Sequence, residues 1–255
     1  MIEFCPILDS FGWLNIGGKE LRSGTMIKPV LRILFAASAL MSAFVPAQAV
    51  EVYLFRGAGD FSFVADRLTF SQGMDDLRDK IRESGIHADV YRWQNAVGVL
   101  ADIRKRKPRS VALLGHSMGA LAAMTTAAQL RREGVKVSYL GLIDIPGPIG
   151  GVPEGVMWAE NFYSLFPVYG LLPVTKDQKA IVTNNYVFGQ IHTTMDNSKK
   201  VHNAMMSAIW QIDDIDRGIR EPVTLRAYAL DRALSSPASR SVDAVAEAGT
   251  LNPAE

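Results

Sequence analysis

Residues 115–119, Gly-His-Ser-Met-Gly, are the stretch that decides the fold prediction. Before them lies the apolar run 110–114, which is typical of a buried strand. After them, residues 120–128 are rich in strong helix formers. The segment therefore predicts that Ser117 lies on a sharp strand-to-helix turn at the carboxyl end of a sheet, where the flanking glycines permit close backbone approach. The alternative is an ordinary serine in a glycine-rich turn.

The chain around this turn alternates between strand-like and helix-like segments. The strands are predicted at 50–55, 88–93, 110–114, 137–143 and 181–188, and the helices at 72–84, 96–106, from the turn to about 134, and at 199–211. This alternation predicts an α/β fold, with a mostly parallel sheet of about five or six strands and helices on both faces. Residues 222–230 fit either a last strand or a last helix.

Residues 146–179 interrupt the alternation, since they are rich in glycine and proline. They also carry several aromatic residues: Trp158, Phe162, Tyr163, Phe166 and Tyr169. Aromatic residues at roughly helical spacing favour a place in the core. The segment also leaves the carboxyl end of a strand, where open α/β sheets bind ligands, so a pocket wall or partial lid is the alternative.

The N-terminal part of the chain has the pattern of an export signal. Residues 26–49 begin with Met-Ile-Lys-Pro-Val-Leu-Arg, continue through the apolar run 33–45 and end in Ala-Gln-Ala, as signal peptides do. The apolar run is shorter than the roughly 20 residues that span a bilayer, although an uncleaved anchor is the alternative. Residues 1–25, which precede this better start, are interpreted as an over-extended N-terminus.

Cleavage after residue 49 predicts a periplasmic or secreted protein with no stable membrane span. The folded domain is then expected at 50–232, and residues 233–255 are expected to form a disordered tail because they hold few large apolar side chains. The single cysteine, Cys5, precedes the signal, so the mature chain is expected to have no disulfide bond.

The charge balance argues against a nucleic-acid partner. The formal net charge is +1 at pH 7. The one basic run, residues 104–109, follows a predicted helix, where cations complement the helix dipole. A solvated helix end is the favoured interpretation over a binding patch.

A nucleophilic serine needs a base to accept its proton. His192 follows a predicted strand directly, in a loop that can lean over Ser117. His202 is the alternative, but it lies inside a predicted helix and is expected to be packed or solvated. The sequence therefore predicts that His192 is the base.

The base in turn needs an acid that orients it. Asp144 directly follows the strand at 137–143, so it emerges at the same sheet edge as Ser117. Its alternative role is to form a local turn before the Pro-Gly sequence. Asp196, better suited to capping the next helix, and Asp177 are the other candidates.

An oxyanion hole needs two backbone donors. The sequence predicts the N–H of Met118, directly after the nucleophile, and the N–H of Ala58, in the loop after the first strand. The glycines of that loop do not form a G-x-G-x-x-G pattern or a P-loop, which argues against phosphate binding. No cofactor is expected, and no convincing set of metal ligands is present.

The motif at 115–119, the strand and glycine loop at 54–59, and the order Ser117, Asp144, His192 resemble the α/β-hydrolase superfamily over roughly residues 50–212. The small size, with no separate cap domain, is similar to compact bacterial lipases, esterases and thioesterases. The chain departs from the superfamily pattern at Arg56, where many lipases have histidine. Its acid also follows the very next strand, as in some lipases, rather than the one after.

The resemblance implies transfer of an acyl group from a small ester or lipid substrate to water through an acyl-serine at Ser117. The sequence leaves three functions open. The first is an exported carboxylester hydrolase, the second a thioesterase using the same residues, and the third a non-catalytic binding or envelope protein.

Overall fold

The computed structural model describes residues 50–58, 71–147, 150–164, 170–173 and 179–234. The over-extended N-terminus at 1–25 and the signal peptide at 26–49 are predictions that lie outside these residues. So does the predicted tail from residue 235 onward, whereas residues 233 and 234 belong to a helix.

Six parallel strands form the centre of the fold. Their order across the sheet is β2-β1-β3-β4-β5-β6, and every neighbouring pair is parallel. Their bounds are β1 Val50–Arg56, β2 His87–Arg92, β3 Ser110–His116, β4 Val137–Ile143, β5 Val156–Tyr163 and β6 Ile181–Tyr186. Because all the strands run the same way, their carboxyl ends meet at one edge of the sheet, where α/β folds place their sites.

Six helices accompany the sheet in the described residues. They are α1 Gly73–Glu83, α2 Ala96–Arg106, α3 Met118–Arg132, α4 His192–Met195, α5 Lys199–Asp216 and α6 Val223–Leu234. Residues 222–230 fit either a strand or a helix in the sequence, and they are helical from Val223 onward. The helix predicted at 199–211 continues to Asp216.

The core lies on both faces of the sheet, as predicted. Side chains alternate along β3, so Ala112 and Leu114 join one apolar cluster while Val111 and Leu113 join the other. Helices α1 and α5 pack in the first cluster and helices α2 and α3 in the second. This near-continuous burial is typical of strands covered on both faces.

The interpretation of residues 146–179 as an irregular insertion is wrong for its middle part, which forms strand β5. It pairs with both β4 and β6 inside the sheet. Trp158 and Phe162 are buried there, so these two aromatic residues belong to the core. Phe166 and Tyr169 lie outside the described residues.

The sequence did not predict this strand because two polar side chains, Glu160 and Asn161, interrupt its apolar pattern. Glu160 is buried and accepts a hydrogen bond from Tyr139 Oη at 2.7 Å. Asn161 donates to the carbonyl of Gly170 at 3.0 Å. Buried polar groups are tolerated when they are paired in this way, and these pairs form only in the folded chain.

At the end of α2, arginines of the basic run at 104–109 form ion pairs with glutamates. Arg104 pairs with Glu133, and Arg106 pairs with the buried carboxylate of Glu51 at 2.7 Å. The run is therefore partly structural rather than only solvated. Among the described residues, no helix combines the length and apolar character needed to cross a bilayer.

Candidate active site

Ser117 occupies the turn between β3 and α3 in a backbone conformation that side chains rarely adopt. Its φ is 56° and its ψ is −124°. Such conformations cost about 1–3 kcal/mol and persist where the surrounding structure enforces them. This conformation places the side chain of Ser117 on the turn between β3 and α3, at the carboxyl edge of the sheet.

The two flanking glycines are required by close backbone contacts. A Cβ on Gly115 would lie 2.2 Å from the carbonyl oxygen of Gly119, and one on Gly119 would lie 2.3 Å from the carbonyl oxygen of Phe55. Neither position can hold a larger residue without moving backbone. The sequence motif thus follows from the geometry of the turn.

His192 lies beside Ser117, as the sequence predicts. It is the first residue of α4, directly after the loop that leaves β6. Its Nε2 is 3.0 Å from Ser117 Oγ, within the reach of a general base. The imidazole keeps 22% of its side-chain surface exposed, so a substrate can approach it.

Asp144 lies behind His192. It directly follows β4 with a φ of 44°, and its Oδ2 is 3.4 Å from His192 Nδ1. The carboxylate is fully buried and also accepts hydrogen bonds from Ser164, from the backbone N–H at 2.7 Å and from Oγ at 2.9 Å. The distance to His192 is long for a hydrogen bond, and catalytic hydrogen bonds often shorten only when substrate is bound.

Ser164 is a residue that sequence reasoning missed. It directly follows β5, so it reaches Asp144 across the edge of the sheet. The sequence held no signal for this contact because β5 itself was not predicted. The pairing orients the carboxylate toward His192 and occupies two of its acceptor sites.

The alternative base and acids lie elsewhere. His202 is buried in α5, where Nε2 bonds the carbonyl of Asp196 at 2.5 Å and Nδ1 lies 2.8 Å from Lys80 Nζ. Burial lowers the pKa of His202, which favours the neutral ring. Asp177 lies outside the described residues.

Asp196 caps a helix, but not the one predicted. Its Oδ2 accepts the N–H of Gly73 at 2.9 Å, at the start of α1 rather than of α5. A Cβ on Gly73 would lie 2.0 Å from the carbonyl oxygen of Asp196, so the approach is very close. Asp196 therefore joins the segment that carries His192 to a helix more than a hundred residues away in sequence.

The predicted oxyanion donors lie next to Ser117. Met118 begins α3, where the first amides of a helix have no partner within the helix. A Cβ on Gly57 would lie 3.1 Å from Ser117 Cβ, so the loop after β1 passes directly beside the nucleophile. The N–H of Gly57 donates to Ser71 Oγ at 3.1 Å, and the exposed Ala58 follows it. Their role as donors stays a prediction.

The sheet order, the strained serine turn after β3 and the chain order of Ser117, Asp144 and His192 together decide the fold. The chain has the α/β-hydrolase fold. A family model described as the thioesterase domain matches residues 93–161, a stretch that runs from the end of β2 into β5 and includes Ser117 and Asp144. The resemblance predicted from sequence is thereby confirmed at the level of the fold.

Solved structures similar to this chain include both esterases and thioesterases. One is a putative hydrolase of the alpha/beta superfamily from Xanthomonas campestris pv. campestris, 12% identical, covering 63% of this chain and 98% of that one, with a TM-score of 0.40. Another is the RedJ thioesterase of the prodiginine biosynthetic pathway in Streptomyces coelicolor, 12% identical over 65% of this chain and 86% of that one, TM-score 0.44. A third is a hyperthermophilic esterase from the archaeon Pyrobaculum calidifontis, 14% identical over 67% and 77%, TM-score 0.43. No protein of curated function matches the sequence significantly.

We expect Asp144→Asn to lower kcat about 10⁴-fold while the protein stays folded. The amide matches the carboxylate in shape, but its NH₂ group must face either Ser164 or His192 Nδ1. Because the backbone N–H of Ser164 can only donate, the amide oxygen is expected to face it and the NH₂ group to face His192 Nδ1, which disfavours the histidine tautomer that can accept a proton from Ser117. Steady-state hydrolysis of p-nitrophenyl butyrate measures the loss, with Ser164→Ala as a milder control. A kcat within tenfold of wild type would remove Asp144 from the site.

Asp196→Asn is expected to raise stability at neutral pH. Burial raises the pKa of the Asp196 carboxyl to about 6 from its ordinary value of 3.8. The folded state therefore holds this proton more tightly than the unfolded state, so the contribution of Asp196 to stability falls as pH rises from about 4 to about 6. The asparagine can still accept the N–H of Gly73 without carrying a charge.

Denaturant unfolding of both proteins between pH 4 and pH 7 checks this expectation. The gain in unfolding free energy of the variant over wild type should grow across that window and level off above it, reaching at most about 3 kcal/mol. A difference that is flat with pH would show that Asp196 is ionised throughout the range.

Proposed function

We propose that the protein is an exported serine hydrolase that cleaves carboxylic esters through an acyl-enzyme at Ser117. The observation that carries the proposal is the contact of 3.0 Å between Ser117 Oγ and His192 Nε2, with Asp144 Oδ2 3.4 Å behind the same ring. A nucleophile, a base and an orienting acid in this sequence of contacts make up the machinery of acyl transfer.

In the first half of the proposed reaction, Ser117 Oγ attacks the ester carbonyl carbon while His192 Nε2 takes the hydroxyl proton. Asp144 stabilises the imidazolium, and the N–H groups of Met118 and Ala58 stabilise the oxyanion. The tetrahedral intermediate collapses with loss of the alcohol, which takes the proton from His192. The acyl group is then bonded to Ser117.

In the second half, water attacks the acyl-serine while His192 again accepts a proton. Collapse releases the carboxylic acid, and Ser117 recovers its proton. The described residues contain no cluster of three side chains able to hold a metal ion. The proposed chemistry uses side chains and backbone donors only.

Export to the periplasm or beyond is part of the proposal and rests on the signal-peptide pattern at residues 26–49. It also bears on the substrate. Acyl-CoA thioesters are chiefly cytoplasmic, so an exported enzyme of this class is expected to meet esters or lipids. Sequencing the N-terminus of the protein recovered from the periplasm tests the export, and a mature start at Val50 is the expected result.

A thioesterase is the second candidate, because the family model that matches residues 93–161 is that of a thioesterase domain. The residues proposed for catalysis are the same for both activities. Parallel assays with short-chain and long-chain p-nitrophenyl esters and with acyl thioesters separate them. We expect a higher kcat/KM for an ester than for the matched thioester, and the reverse ranking would favour the second candidate.

A fluorophosphonate probe tests whether the protein is an enzyme at all. The probe bonds covalently to activated serines, so we expect one adduct that peptide mass spectrometry places on Ser117 and that Ser117→Ala abolishes. Ser138→Ala is the matched control, since Ser138 is a buried serine near the amino end of the adjacent strand β4. If the folded wild-type protein takes up no probe, both enzymatic candidates fail and a binding role remains.

A further inference from the structure

His116, the residue before the nucleophile, is held in a chain of buried hydrogen bonds that the proposed reaction does not use. Its Nδ1 lies 2.6 Å from Ser71 Oγ, and its Nε2 lies 3.0 Å from the carbonyl oxygen of His192. Ser71 Oγ also accepts the N–H of Gly57 at 3.1 Å. The chain of contacts thus runs from the loop after β1, through Ser71 and His116, to the backbone of the proposed base.

The direction of every proton in this chain follows from its ends. A carbonyl oxygen can only accept, so His116 Nε2 carries the hydrogen that bonds His192. Burial, helped by the nearby His192 imidazole, lowers the pKa of His116 to about 4, so the ring is neutral near pH 7. Its Nδ1 therefore accepts from the hydroxyl of Ser71, which in turn accepts the N–H of Gly57. Ser71 and His116 thus each use one donor and one acceptor.

We call this chain of hydrogen bonds, from Gly57 through Ser71 and His116 to His192, the bridge. Two further observations indicate that the fold enforces it. Ser71 is buried and has a φ of 73°, a conformation that non-glycine residues adopt only when their surroundings enforce it. The rings of His116 and His192 lie with their centroids 4.7 Å apart. A neutral His116 can lie this close to His192 when the latter becomes positively charged during acyl transfer.

We propose that His116 is a positioning residue, which holds the backbone of His192 and, through Ser71, the loop at Gly57 in register with Ser117. The proposal rests on the function proposed above. His192 belongs to α4, a helix of only four residues, so its backbone needs an anchor from elsewhere in the fold. His116 is covalently next to Ser117, and its one ring therefore fixes base and nucleophile relative to each other.

Two substitutions separate the two ends of the bridge. In His116→Gln the side-chain amide nitrogen falls near the position of Nε2, so the hydrogen bond to the carbonyl of His192 can be kept. In His116→Asn the amide ends near the position of Nδ1, so contact with Ser71 can be kept while the one to His192 is lost. His87→Gln is the control, since His87 begins β2 at the opposite edge of the sheet.

We expect His116→Asn to lower kcat for p-nitrophenyl butyrate about 10- to 100-fold, with KM within about threefold, because displacements of about 1 Å at a reacting group cost up to about 10²-fold. His116→Gln should stay within about fivefold of wild type, and His87→Gln should match it. The rate of fluorophosphonate labelling should fall in the same order. The proposal is overturned if His116→Asn keeps the wild-type kcat, or if the two His116 variants lose equal activity at equal melting temperatures.

A measurement that does not depend on activity keeps the proposal open to refutation if a variant fails to fold. Imidazole ¹⁵N–¹H correlation spectra of the wild-type protein should show His116 as the neutral Nε2–H tautomer at pH 7, and Ser71→Ala should alter that signal. An Nδ1–H tautomer would overturn the bridge even in an active enzyme. Conversely, failure of the wild type to react with fluorophosphonate would refute the proposed function while the spectrum still reports on the bridge.

Discussion

Ser117→Ala is expected to lower kcat for ester hydrolysis by as much as about 10⁶-fold, the scale seen when the nucleophile of an acyl-transfer site is removed. The alanine leaves His192 and the predicted oxyanion donors in place, so a small residual rate above water is expected. Steady-state kinetics with p-nitrophenyl butyrate measure the loss, and circular dichroism checks that the fold is retained. A variant with a tenth or more of the wild-type kcat would show that another group is acylated.

The same position offers an independent check through stability. Because the φ of 56° and ψ of −124° at Ser117 are strained for any residue with a side chain, Ser117→Gly should be more stable than Ser117→Ala by about 1–2 kcal/mol. Thermal unfolding of the two inactive variants measures the difference. Equal stability would indicate that the turn relaxes once the hydroxyl is gone.

His192→Ala is expected to be nearly as damaging as Ser117→Ala, because a serine without its base is a poor nucleophile and groups that act as a unit do not contribute additively. His202→Ala provides the comparison. His202 is a buried histidine only ten positions away, bonded to Asp196 and Lys80 rather than to Ser117. Its loss is expected to cost stability and no more than about tenfold in kcat.

The kinetics of the two alanine variants and their double mutants with Ser117→Ala decide between the histidines. Adding His192→Ala to Ser117→Ala should lower the residual rate little further, since the two residues act on the same proton. If alanine at 202 removed activity while alanine at 192 did not, the assignment of the base would be reversed.

The parts of the molecule that depend on local pattern were predictable from the sequence. The predicted strand at 137–143 has the same bounds as β4, Val137–Ile143. Asp144 follows it at the carboxyl edge of the sheet, as predicted. The glycines around Ser117 signalled the turn because a sharp turn excludes side chains there for steric reasons. His192 could be chosen because a loop after a parallel strand opens at the same edge as the nucleophile.

The parts that depend on distant contacts were not predictable. Strand β5 carries Glu160 and Asn161, whose burial makes sense only once Tyr139 and Gly170 are seen beside them. Ser164 became relevant only with β5 in place. Asp196 was expected to cap the helix next to it in sequence, but the fold brings the start of α1 to it instead.

Helix α4 has a consequence for how the protein loses activity. Four residues cannot sustain a helix by their own hydrogen bonds, so α4 depends on contacts with the rest of the fold. His192 bonds His116, Met195 is buried in the core, and Asp196, directly after the helix, bonds Gly73. The central sheet, in contrast, is held by two buried cores. Local opening of α4 is therefore expected to cost less free energy than global unfolding, and amide hydrogens in this segment should exchange before those of the sheet. We therefore expect activity to be lost at a lower denaturant concentration than the sheet, and to return on dilution while the sheet stays intact.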